Sequence, residues 1–213
     1  MTEKNILNKT LSSITKKSLQ KNGFIVHEAD DKAEAITILE ELIDKNAIIG
    51  YGGSRTLDEI GFHTIFTIRD YPNLLDRNIP DISREVKQSI QKRTLSAEIF
   101  ISSANALTTE GDLILIDKWG NRNAAATYGP EKRIFVVGTN KITSSLDEGL
   151  KRARNYAAVQ NNIRFNTGNP CTTKGHCVQC DSKERLCSVT TIISKCQPVN
   201  SAIILLINED LGF

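Results

Sequence analysis

The apolar runs of this chain are short, almost uninterrupted by polar residues, and separated by amphipathic helical stretches. That alternation restricts the fold more than any other feature. Phe24–Val26, Ala47–Gly50, Glu98–Ser102, Asp112–Asp117, Arg133–Gly138 and Ile203–Ile207 each read as a strand. A strand with one wet face alternates apolar with polar, whereas runs like these suit strands buried on both faces. The stretches between them carry helical periodicity. Ile6, Leu7, Leu11, Ile14 and Leu19 mark a helix over Asn5–Gln20, and Ile36, Leu39, Leu42 and Ile43 mark another that Asp30 or Asp31 caps. Further helices are expected over Asp81–Leu95 and over 146–160, the latter capped by Ser144 or Ser145. Strand, helix, strand, glycine turn is a βαβ rhythm, so the expectation is an α/β fold with a sheet covered by helices on both faces.

With 213 residues and 39% hydrophobic content, the chain can bury one sizeable core. Helical pattern gives way near Asn161 to Asn, Gly, Pro and Cys. We therefore divide the chain into an α/β body (1–165), a cysteine-rich segment (166–196) and a C-terminal strand returning to the body (197–213). A formal net charge of +2 argues against a nucleic-acid or membrane-surface binder. The N-terminus lacks the apolar run of a secretory signal, and Ala202–Ile207 is too short to span a bilayer, so a cytoplasmic protein is expected.

Such a compartment keeps thiols reduced, and the cysteines crowd together as Cys171-x5-Cys177-x2-Cys180-x6-Cys187. Gly168, Pro170 and Gly175 supply bends around a centre. Four thiolates in so short a stretch suit metal, held either as tetrahedral structural zinc or as an iron–sulfur cluster, and the spacing does not choose between them. The plain alternative is a set of unliganded buried thiols. Cys196 reads as a small buried hydrophobe and His176 as a solvent-side neighbour.

Gly52-Gly53-Ser54 follows a strand and precedes a helical stretch beginning near Arg55, where backbone N–H groups and a hydroxyl can face an anion. It matches neither dinucleotide nor P-loop spacing, and a simple tight turn explains it equally well. Glu110 lies in a turn between strands, as an exposed glutamate or a positioned carboxylate. Asn121 and Arg122 precede the small run Ala124–Ala126, and Lys141, Arg152 and Arg154 form a solvated basic face or contribute to an anion site.

Taken together, Gly52-Gly53-Ser54-x-Thr56-Leu57, Ser103-Ala104-Asn105-Ala106-Leu107-Thr108-x-Glu110-Gly111, Asn121-Arg122 and Gly129-Pro130 resemble the lactate-utilisation (LUD, formerly DUF162) domain family. Val136-Val137-Gly138-x-Asn140-Lys141, Asn169-Pro170-Cys171 through Cys187, and the closing Asn208–Phe213 resemble its short, cysteine-bearing branch. The resemblance implies a three-layer fold related to the ribose-5-phosphate isomerase, glucosamine-6-phosphate isomerase and CoA-transferase group. It also implies ligand binding near Gly52, Gly53 and Ser54, where that group holds anionic substrates; Thr56 and Lys141 are further candidates for binding a small anionic metabolite. Members of the family take part in oxidising lactate to pyruvate with iron–sulfur partner proteins, which moves the cysteine reading toward a 4Fe–4S cluster, with structural zinc as the alternative.

The primary expectation is an iron–sulfur protein of hydroxy- or oxo-acid metabolism. Asn105 and Arg122 orient the acid, Glu110 serves as acid–base group, and Cys171, Cys177, Cys180 and Cys187 hold the metal. The other readings are an isomerase- or CoA-transferase-like enzyme using Glu110, and a non-catalytic metal-stabilised subunit or metabolite sensor. The chain lacks a flavin or nicotinamide fingerprint, and a homo-oligomer is left open.

Overall fold

A computed structural model describes residues 2–213. Its centre is a five-stranded sheet of order β1-β9-β6-β3-β2, with every pairing parallel. The strands are β1 (Ile25–Ala29), β2 (Ile49–Tyr51), β3 (Ile99–Ser102), β6 (Lys132–Gly138) and β9 (Ala202–Ile207). Helices α1 (Glu3–Lys21), α2 (Lys32–Leu42), α3 (Arg55–Glu59), α4 (Phe62–Ile65), α5 (Arg84–Arg93) and α6 (Asn121–Thr127) accompany it. Side-chain oxygens start several helices where the sequence places them. Asp31 accepts the N–H groups of Ala33 and Glu34, and Ser54 accepts that of Leu57.

The continuous apolar runs have the expected cause. In β6, Ile134 and Val136 pack with Leu39 and Leu57 on one face, while Phe135 and Val137 pack with Leu19 and Ala125 on the other. The expectation of helices alone on both faces is incomplete, however. A second, four-stranded sheet of order β7-β4-β5-β8 lies against the parallel sheet. It comprises β4 (Ala106–Thr108), β5 (Leu113–Asp117), β7 (Ile142–Thr143) and β8 (Val189–Ile193). Its β5 is also buried twice, with Leu113 and Leu115 facing the parallel sheet and Ile114 and Ile116 facing Ala153 and Ala158. Those alanines belong to one helical run made of α7 (Leu146–Arg152), a π-helical turn (Ala153–Ala157) and α8 (Ala158–Arg164).

The cysteine segment follows α8 and includes α9 (Cys171–Lys174). Its tail is woven into the body, because β8 pairs antiparallel with β5 and the Cys196 N–H donates to the Asn22 carbonyl. Among the described residues, no helix is long and apolar enough to cross a membrane.

Candidate functional site

A parallel sheet presents all its carboxyl ends on one side, and crevices at those ends are the usual ligand sites of such folds. Here β2 runs out into Gly52-Gly53-Ser54, β3 into Ser103-Ala104-Asn105 and β6 toward Lys141. A cavity of about 490 Å³ opens at this point, and Gly53, Ser54, Asn105, Arg122 and Lys141 all line it. Residues far apart in the chain thus meet because three parallel strands end together. Gly52 and Thr56 sit immediately behind the wall: the Gly52 N–H donates to the Ile101 carbonyl, and Thr56 Oγ1 accepts from Lys141 Nζ at 2.7 Å.

Lys141 is only 2% exposed. Its ammonium also reaches Ser103 Oγ at 3.0 Å and the Ala104 carbonyl at 3.2 Å. Burial pushes its pKa well below the usual lysine range, and the nearby charges of Arg152 and Arg122 push it further. Arg122 projects from α6 and donates to the Ser103 carbonyl at 2.8 Å, Asn105 Oδ1 at 2.8 Å and the Ile116 carbonyl at 2.6 Å. Asn105 Oδ1 in turn accepts the Ile116 N–H, so one asparagine couples the two sheets beneath the cavity. Arg152 completes the support, its Nε donating to the Asn140 carbonyl.

Glu110 stands apart from this group. It is exposed in the turn between β4 and β5, where its carbonyl accepts from Asn22 at the end of α1, and it is not among the cavity-lining residues. The hairpin that carries it turns away from the strand ends, so its chain neighbourhood with Asn105 does not become proximity at the site.

The cleft also contains groups that strand and motif reading missed: Tyr51, Asp58, His63 and Arg77. The His63 ring lies 4.9 Å from the Tyr51 ring, and its Nε2 is 3.5 Å from Asp58 Oδ1. Burial lowers the His63 pKa below 6.5, an effect that Asp58 only partly opposes. The Tyr51 hydroxyl donates to Asp76, and burial followed by that carboxylate holds it protonated far above the normal tyrosine range. The guanidinium of Arg77 lies over the Tyr51 ring, 5.7 Å from its centroid. Only the isolated histidine in Gly61-Phe62-His63 could have been singled out beforehand, and nothing marked its partners.

The cysteine segment borders the same cavity through Leu186. Cys171 is buried, whereas Cys177, Cys180 and Cys187 are half-buried; none is in a disulfide. Burial raises the Cys171 thiol, and Cys180, Cys187 and Cys177 add to the effect in that order, so all four thiols lie within electrostatic reach. Among the described residues, no three His, Cys, Asp or Glu side chains are gathered closely enough to grip an ion as placed. Arg185 straps the segment by donating to the Cys180 carbonyl at 3.1 Å and the Cys187 carbonyl at 3.2 Å. Asn169 Nδ2 donates to Asn162 Oδ1 of α8 at 2.6 Å and to the Glu184 carbonyl at 3.1 Å. The π-helical turn contributes Asn155, whose Oδ1 accepts the Cys177 N–H at 3.1 Å. Cys196 is buried beside Pro198 and Ser201, away from the four, and His176 is exposed.

The family model of the LUD domain matches residues 13–207. Among solved structures, a DUF162 family protein from Deinococcus radiodurans is similar at a TM-score of 0.55 and 14% identity, over 94% of this chain and 97% of that one. No curated protein matches the chain.

Proposed function

The chain belongs to the LUD domain family, and from that premise we propose that its cleft binds a small hydroxy- or oxo-acid in redox metabolism of the lactate-utilisation type. The observation that carries this reading is the charge of the cleft. Arg122 and Lys141 converge at the strand ends, their donors end on neutral oxygens, and neither forms an ion pair among the described residues. Asp117 and Glu59 oppose the two charges without pairing with them; buried cations lacking a close counter-charge are costly, and an acid carboxylate offsets that cost. In this reading Gly53, Ser54 and Asn105 shape the floor, Gly52 and Thr56 support it, and the charges of Arg122 and Lys141, whose donors brace the wall, attract the carboxylate. His63, kept neutral by burial and backed by Asp58, accepts or returns a proton at the wall. Glu110 is exposed and does not line this cleft, so the isomerase- or transferase-like reading built on it calls for a different site from the one proposed here. The arrangement of a parallel sheet with its site at the strand ends supports relating the body to the ribose-5-phosphate isomerase and CoA-transferase group.

The cysteine segment offers the donor chemistry of an iron–sulfur cluster, four free soft thiols on one short stretch strapped by Arg185, although they are not gathered around an ion. Cys171, Cys177, Cys180 and Cys187 would hold a 4Fe–4S cluster, which when bound supplies electron transfer. The alternative, tetrahedral zinc, uses the same residues for stability alone. Anaerobic purification with iron, sulfide and zinc analysis decides between them. Iron with sulfide and a broad visible absorption band is expected, and stoichiometric zinc without iron refutes the cluster. Turnover of lactate with an artificial electron acceptor tests the chemistry, and a protein that binds lactate or pyruvate without turnover is a sensor or subunit.

A further inference from the structure

We propose that the acid bound in this cleft carries a second anionic group, and that Arg77 is the residue that selects for it. The inference rests on the reading of the cleft as an acid site and specifies the class of acid.

Two arginines bracket the glycine turn. A Cβ on Gly52 would stand 2.7 Å from Arg122 Cγ, and a Cβ on Gly53 would stand 2.7 Å from Arg77 Nη2. The absence of both side chains is what lets the two guanidinium-bearing chains approach this backbone. They are close enough that the charge of Arg77 lowers the pKa of Arg122. Their commitments differ. Arg122 spends its donors on the Ser103, Asn105 and Ile116 oxygens, whereas the side chain of Arg77 donates no hydrogen bond and joins no ion pair among the described residues. Arg77 therefore offers an unused planar fork, whose geometry matches a carboxylate or phosphoryl group in two parallel bonds.

The surrounding charges point the same way. Asp58, one of two side-chain carboxylates lining the cavity, is engaged by Arg164 at 3.0 Å and lies 3.9 Å from Arg55. The other, Asp117, accepts the backbone N–H groups of Lys118 and Arg122. Lys118 pairs with Glu184 at 2.9 Å. Arg77, Lys87, Arg122 and Lys141 are left without ion-pair partners among the described residues, all facing one cavity of about 490 Å³. A three-carbon hydroxy acid brings a single negative charge and fills little of that volume. An acid with a second carboxylate or a phosphoryl group answers both the charge and the space. Arg122 and Lys141, their donors engaged in the wall, then favour the first anionic group by their charge, and the free fork of Arg77 binds the second.

The protein's single tryptophan, Trp119, lines the cavity and is 73% exposed, so its fluorescence reports binding directly. The full chain is titrated with lactate, malate, 3-phosphoglycerate and inorganic phosphate. Malate or 3-phosphoglycerate, whichever carries the preferred second group, is expected to bind on the order of tenfold more tightly than lactate, as one added charge-assisted fork implies. In Arg77→Gln that ratio falls to about two or less; Arg77→Lys, with charge but no fork, restores part of it. Lys9→Gln, at an exposed position on α1 outside the cavity, keeps the wild-type ratio. Because the Arg77 fork makes no internal hydrogen bond, Arg77→Gln is expected to fold, which far-UV circular dichroism checks. A wild-type ratio near one overturns the proposal, as does a ratio that survives in Arg77→Gln. Inorganic phosphate binding as tightly as 3-phosphoglycerate also overturns it, since the ligand's own carboxylate would then contribute nothing. Lactate binding without preference removes only this inference, whereas no binding by any of the acids removes the acid-site reading too.

Discussion

Gly52 and Gly53 are chain neighbours, yet substitution at each meets a different obstacle. A methyl group on Gly52 is confined by Arg122 Cγ and by Ser102 Oγ, both at 2.7 Å and both packed beneath the cavity. Gly52→Ala is therefore expected to lower stability by roughly 1–3 kcal/mol through overpacking, measured by denaturant unfolding. At Gly53 the only obstacle within 3 Å is the free end of Arg77, which can swing away. Gly53→Ala should leave the unfolding midpoint nearly unchanged while weakening binding of anionic ligands. His63 supports a second residue-scale prediction. Its pKa is lowered by burial, so below its ordinary value of 6.5 the unfolded chain binds a proton that the folded chain resists. Stability contributed by keeping His63 neutral is complete above that value and declines as pH falls below it. His63→Phe should flatten the unfolding midpoint over that window, and an unchanged slope would remove His63 as its source. At this scale the sequence disclosed the site unevenly. Gly53, Asn105, Arg122 and Lys141 follow strands or small-residue runs whose placement can be anticipated. Tyr51, His63 and Arg77 owe their convergence to the irregular path after α3, which only tertiary packing defines.

Among the elements, the stretch of the cysteine segment before β8 is held to the body by buried side-chain ties. Asn169 links α8, the Glu184 carbonyl and the Ser182 hydroxyl, and is itself 2% exposed. Asn169→Ala strands those partners, so a loss of about 1–3 kcal/mol is expected, localised to 166–187 by hydrogen exchange. Cys180→Ser removes a proposed ligand and is expected to deplete metal and raise proteolysis in the same stretch, whereas Cys196→Ser, outside the set, should leave metal content intact. Full metal content in Cys180→Ser would refute the four-thiol site. The elements also show where sequence reading stops. Helices α1 and α2 and strands β3, β5, β6 and β9 follow from periodicity and caps. The second sheet does not, because β4 resembles a connecting turn and β8, with Thr190 and Thr191, is only partly buried. Both acquire strand form from β5 between them. The π-helical turn was equally hidden, since its residues Ala153–Ala157 suit an ordinary helix.

For the molecule as a whole, the apolar layer between the two sheets joins body and appendage. Phe135 is 1% exposed in that layer, and Phe135→Ala should cost about 3–5 kcal/mol and weaken both sheets in a single unfolding transition. Two separated transitions would show that the sheets are independent. The strand order has a consequence in time as well as in space. β9 occupies an inner position between β1 and β6, with Ile203 paired to both Ile25 and Ile134, although almost the entire chain separates it from β1. Closing so long a loop precedes any gain from the pairing, which makes folding slow. Until β9 arrives, β1 and β6 present open edges to other chains. Refolding from denaturant is accordingly expected to give monomer yields that fall as protein concentration rises, with light scattering appearing before native fluorescence returns. Concentration-independent recovery would mean that β9 docks early, ahead of the strands it separates.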